Sequence, residues 1–312
     1  ATASTTELSV GQWVTRALRP LKEAQGRLSG HAWSIIPYGL STVSNLPILG
    51  GREFESAVCD PTRGWVPIRG ILHRHKTDSR TLVIIVHGIA SSPRYGYLKP
   101  LTRAAFRGGS DVLRLALRGA LGTGSDHYHA GQTEDLTALF GDPRLAQYDE
   151  IFVAGFSLGG QIGLRFGTQC EDPRLKGVIA LCAPICMKSS QVVLDAPSML
   201  PYRLPILREL KRKYRALSRN GEREGRPLAS ALEDVNRVRS FYEWDQTVVC
   251  PRYGYSSVED YYRDVSVGPH LSRLRVPTLM VFAKNDPMIP YPALKTHLDG
   301  VGRDTQVRVV ET

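Results

Sequence analysis

The chain has 312 residues, 42% hydrophobic and 22% charged, with a net charge of +10. That balance is globular, allows a sizeable core, and excludes disordered and fibrous classes; the longest apolar runs, such as LVIIV at 82–86, are too short to cross a bilayer. Five cysteines (Cys59, Cys170, Cys182, Cys186 and Cys250) at scattered spacings argue against a disulfide framework or a zinc site, and favour a reducing, cytoplasmic compartment.

The first residues, ATASTTELSV, carry no initiating methionine and no apolar block of a secretory signal. Val10, Trp13, Val14, Ala17 and Leu21 then recur at helical spacing beside Arg16, Arg19 and Lys22. This N-terminal segment, 1–51, is expected to pack on the core, or else to make peripheral contact with a membrane. Residues 56–59 and 65–72 read as an opening hairpin. Short apolar runs at 81–86, 111–116, 151–155, 177–181, 278–282 and 306–310 read as strands, with a helix over 161–167. Such alternation predicts an α/β protein, a mostly parallel sheet flanked by helices.

Between 183 and 274 the strand rhythm lapses. Paired aromatics (Phe241, Tyr242, Tyr261, Tyr262) and a basic stretch (Arg208, Lys211, Arg212, Lys213, Arg215, Arg219, Arg223, Arg226) occupy this region. It is expected to form a helical cap or lid, 183–274, inserted into a core made of 52–182 and 275–312. The basic stretch reads as one solvated helix face, with anionic lipid as the alternative partner; no nucleic-acid motif accompanies it.

The chemistry concentrates at Gly155-Phe156-Ser157-Leu158-Gly159, a G-x-S-x-G between a strand and a helix. In that setting the serine occupies a sharp, strained turn and projects its hydroxyl into a cleft. Glycines two residues to either side let strand and helix approach closely. The Leu158 amide, at the helix start, can face a developing oxyanion. Upstream, His87-Gly88 ends an apolar strand, and the Ile89 amide is the second oxyanion candidate. His87 reads as a loop-shaping residue, because this motif orders its triad serine, acid, histidine along the chain. Asp286, just after the 278–282 strand, is the candidate acid, and as an Asp-Pro pair it can also hold its own loop. His127 and His129, like His73 and His75, lack the third ligand that a metal site needs. No metal or organic cofactor is expected.

These residues give the chain a resemblance to the YheT-like branch of the α/β hydrolases. LALRGALGTGSDHYHAGQTEDL (115–136) is similar to that branch's arginine-glycine loop and acidic helix start. FYEWDQTVVCPRYGYSSVEDYYRDVS (241–266) resembles its cap signature, and AKNDPMIP its acid loop. The resemblance runs from about Arg52 to the end. It implies the α/β-hydrolase fold and cleavage of a small acyl ester, with Ser157 as nucleophile and Asp286 as acid. Transfer to an alcohol acceptor, or non-catalytic lipid binding, remains open on the same fold. That branch carries its histidine in a glycine-rich turn after the last strand, whereas this sequence stops at Glu311-Thr312. The base is therefore expected beyond Thr312, or the chain has lost it; His297 lies in a surface helix on the wrong side of that strand.

Overall fold

In the computed structural model, which describes residues 50–75, 78–300 and 306–312, the unbroken apolar runs form the middle of a sheet. The amphipathic stretch around Trp13 lies outside those residues. Strand β1 (Arg52–Asp60) pairs antiparallel with β2 (Gly64–His73), which pairs antiparallel with β4 (Asp111–Ala116). All remaining pairs are parallel: β3 (Thr81–Val86), β4, β5 (Glu150–Phe156), β6 (Leu175–Leu181), β7 (Thr278–Phe282) and β8 (Val307–Glu311). The order is β1-β2-β4-β3-β5-β6-β7-β8. TLVIIV is buried along nearly its whole length because β3 lies mid-sheet with both faces covered, which is why it reads as a continuous apolar run rather than an alternating one.

The order reverses at β3. The chain steps from β3 to β4 on one side and then crosses back to β5 on the other. A crevice opens at such a switch point, outside the carboxyl ends of the strands. The loops after β3 and β5, which carry Ile89 and Ser157, both emerge there.

Helices α1 (Lys99–Arg107), α2 (Glu134–Phe140) and α3 (Leu158–Gly167) connect the first strands. Between β6 and β7 the described chain is helical. It comprises α4 (Met187–Asp195), α5 (Leu200–Arg223), α6 (Leu232–Arg237), α7 (Phe241–Trp244), a π turn (Asp245–Val249), α8 (Cys250–Tyr253), α9 (Val258–Val265) and a 3₁₀ segment (Gly268–Arg273). Helix α10 (Tyr291–Asp299) links β7 to β8.

The basic stretch falls on α5 and the turn after it, but it is not one solvated face. Lys213 is buried, and Lys211 Nζ donates to the carbonyls of Asn236 and Val238. Arg212 pairs with Glu209, Arg215 with Asn236, and Arg226 caps the Arg63 carbonyl. Burial of the opposite stripe (Leu207, Leu210, Tyr214, Leu217) sets the helix's rotation, and Lys213 falls on the buried side.

Candidate active site

Ser157 stands at the junction of β5 and α3 with φ 51° and ψ −121°, a left-handed conformation costly for any residue with a Cβ. The sharp turn requires both flanking glycines. A Cβ on Gly155 would lie 2.2 Å from the Gly159 backbone, and one on Gly159 would lie 2.4 Å from the Val86 carbonyl oxygen. Ser157 makes no side-chain capping bond to α3, so its hydroxyl is not spent on the helix end. The Gly160 and Gln161 amides take its carbonyl instead. Leu158 opens α3, in the turn where N–H groups have no acceptor within the helix.

The loop after β3 is held from several sides. His87 is buried; its Nδ1 donates to the Gly88 carbonyl at 2.8 Å and its Nε2 accepts from the Leu117 amide at 3.3 Å. Burial pushes its pKa down to about 3, with the Lys213 charge adding to the effect, so it is a neutral structural ring. The Gly88 amide donates to the Tyr97 hydroxyl at 2.9 Å and the Ala90 amide to the Tyr128 hydroxyl at 2.8 Å. Ala90 itself has φ 55°. Lys213 then reaches over from α5 and donates to the carbonyls of Ala90 at 2.9 Å and Ser91 at 2.7 Å. Burial lowers its pKa to about 8, against the opposing Glu209 carboxylate. Every one of these bonds touches a neighbour of Ile89 and leaves the Ile89 amide between them without a partner among the described residues.

Asp286 lies just beyond β7. Its Oδ1 accepts the Met288 amide at 2.8 Å and the Ile289 amide at 3.2 Å, so the aspartate does hold its own turn. Burial raises its pKa, opposed by those two amides and by the Cys182 thiol. Cys182, the residue after β6, has φ 48°, a strained position that no motif in the sequence marks. The carboxyl ends of β5 to β8 are stitched together at one edge. The Ser157 amide donates to Leu181, Cys182 to Val281 (both 2.8 Å), Thr312 to Phe282 and Lys284 to Thr312 (both 2.9 Å).

Ser157, Leu158 and Ile89 share one pocket, walled by Met288 and Ile289 from the acid loop. Helices between β6 and β7 add Leu194, Leu210, Phe241, Trp244 and Tyr261 among others. Of the paired aromatics, Phe241, Tyr261 and Tyr262 face it and Tyr242 does not. His127 and His129 also line it. Both are buried with lowered pKa values, about 4 and about 3, set first by desolvation, and His129 packs on Tyr253 at 4.0 Å. His297 lies on α10 against Gly268, away from this pocket. Lys213, Tyr128 and Tyr97 are the functional-site residues that sequence reading missed. Their signal is a tertiary contact with the loop, which no spacing encodes.

A sequence profile of the alpha/beta hydrolase family matches residues 83–311. YheT of Escherichia coli, named as a presumed esterase, is 26% identical over 227 residues, covering 68% of this chain and 63% of YheT. Monoacylglycerol lipase of Saccharomyces cerevisiae is 23% identical over 228 residues, covering 68% of this chain and 49% of the lipase. The chain thus spans less than two thirds of the length of YheT and about half that of the lipase. Among solved structures, esterase Pf2001 of Pyrococcus furiosus superposes with a TM-score of 0.50 at 14% identity, covering 85% of this chain and 84% of the esterase; at that identity the likeness concerns the fold.

Proposed function

The chain belongs to the alpha/beta hydrolase family, and from that membership we propose that it is a serine hydrolase of acyl esters. The observation that carries this reading is Ser157, whose strained backbone turn and uncapped hydroxyl face an apolar pocket. A serine that only ended a strand would have no need of that strain.

The reaction has two steps. Ser157 Oγ attacks the acyl carbonyl while its proton passes to a base, and the Ile89 and Leu158 amides hold the oxyanion. The tetrahedral intermediate collapses, the C–O bond to the alcohol breaks, and the base returns the proton to the departing alcohol. Water then attacks the acyl-enzyme by the same route and releases the acid and free Ser157. In this reading the base is a histidine oriented by Asp286. The bonds between Thr312 and the Phe282–Lys284 backbone support its delivery by residues that follow β8, because they bring that end of β8 to the Asp286 loop. The apolar lining supports an aliphatic acyl group.

The direct test is labelling with a fluorophosphonate, followed by peptide mass mapping. The label is expected on the peptide containing Ser157. A folded protein that takes up none there overturns the assignment.

A second expectation concerns the loop. Lys213→Met removes the donor to Ala90 and Ser91, and the loop carrying the Ile89 amide should loosen. Losing an oxyanion donor outright costs about 10²–10³ in kcat; disordering one should cost at least about tenfold, with KM changed less than about threefold. Lys213→Arg should recover part of the rate. A fall in KM affinity without a fall in kcat would mean that Lys213 only shapes the pocket.

A further inference from the structure

Asp245 opens the π turn Asp245–Val249, a distortion that concentrates at functional sites. Its Oδ2 accepts the Tyr262 hydroxyl at 2.6 Å, and no hydrogen bond occupies Oδ1 among the described residues. Asp245 lines the pocket that contains Ser157, as do Trp244, Val249 and Tyr261. Neighbouring Asp195 has no such spare oxygen. It accepts the Phe241 amide at 2.8 Å, the Tyr242 amide at 3.0 Å and Gln191 Nε2 at 2.6 Å. Ser190, which lines the same pocket, is 2% exposed, and its hydroxyl has no partner among the described residues.

Covering these groups with a plain alkyl chain is unfavourable: the Ser190 hydroxyl is already buried without a partner among the described residues, and the half-buried Asp245 carboxyl would lose the water it still meets. We propose that Asp245, braced by Tyr262, is a subsite for a hydroxyl group on the ester, so that the substrate class is hydroxylated esters rather than plain alkyl esters. The term "substrate" here rests on the ester-hydrolase reading; the binding site does not. Burial, with Asp195 adding to it, raises the Asp245 carboxyl to about 7 against the Tyr262 bond, so both of its protonation states are accessible near neutrality. A hydroxyl satisfies both, donating to the carboxylate or accepting from the acid. An ammonium pairs only with the carboxylate.

Binding is measured by calorimetry on the Ser157→Ala protein, where turnover plays no part. The ligands are methyl octanoate, its 2-, 3- and 8-hydroxy isomers, and methyl 8-aminooctanoate. At least one hydroxy isomer should bind about tenfold or more tightly than methyl octanoate, because a site built around buried polar groups discriminates against a ligand that cannot pair with them. In Ser157→Ala/Asp245→Leu the gain should drop below about twofold. The ligand comparison at native Asp245 decides the matter even if the leucine variant does not fold. Equal affinity for all octanoates, absence of binding, a gain confined to the amine, or a gain that survives Asp245→Leu overturns the subsite. Failure of the ester-hydrolase reading registers separately, as absence of ester cleavage and of fluorophosphonate labelling by the unmutated protein.

Discussion

Ser157→Ala is expected to lower ester hydrolysis by about 10⁴-fold or more, to the level supplied by binding and the oxyanion amides alone. The measurement is kcat/KM on p-nitrophenyl butyrate with the unmutated protein and the variant side by side. Alanine keeps a Cβ at φ 51°, so the backbone strain and the fold stay as they are and only the hydroxyl is lost. Retained activity would remove Ser157 from the mechanism. Ser157→Gly makes the complementary point. Glycine adopts a positive φ without a side-chain clash, so relief of about 1–3 kcal/mol of strain should raise the melting temperature while activity disappears. A lower melting temperature would mean that the turn stores no such strain. The two variants together separate what the hydroxyl does from what the turn costs.

Arg118→Met should produce the largest loss of stability. Arg118 is 2% exposed and lies among three carboxylates. Its Nη1 is 2.8 Å from Asp60 and 3.1 Å from Asp126, and its Nε donates to Asp135 at 2.9 Å. Arg252, from α8, closes the cluster with 2.8 Å to Asp60 and 2.7 Å to Asp126. Two guanidiniums and three carboxylates thus tie the end of β1, the loop after β4, the start of α2 and the helices between β6 and β7 to one point. Methionine would fill the space but leave Asp60 and Asp126 with Arg252 alone and Asp135 without a guanidinium partner. Removing one partner from a buried ionic group costs about 3–5 kcal/mol, read as a lower urea midpoint at an unchanged slope. An unchanged midpoint would show that the cluster contributes nothing net. Burial works against the charge on Asp60, but the Thr62 amide and Arg252 outweigh it and hold its carboxyl below the usual range. Asp126 is lowered in the same direction, its burial outweighed first by the Arg252 bond. Their contribution is therefore complete above the ordinary carboxylate value of 3.8 and drains away as pH falls through the folded values.

What the sequence by itself determined is local. Apolar runs such as TLVIIV and VLRLA mark strands because a parallel strand buried on both faces has no room for alternation. The predicted runs at 81–86, 111–116 and 278–282 match β3, β4 and β7 residue for residue, and the opening hairpin differs only in being longer. Gly155 was legible because the backbone it clears, at Gly159, lies in the same turn, whereas Gly159 clears the Val86 carbonyl of β3, which only the fold brings there. The tertiary structure alone decided which charges are solvated and which are spent inside. Lys213 belongs to a run of basic residues, yet it bonds carbonyls 122 and 123 residues away. Arg118 reaches Asp60 across 58 positions, and Arg252 reaches Asp126 across 126. Sequence periodicity records which face of an element meets the core. It carries no record of which distant group a polar side chain will find there, because that pairing exists only once the sheet has brought the loops together.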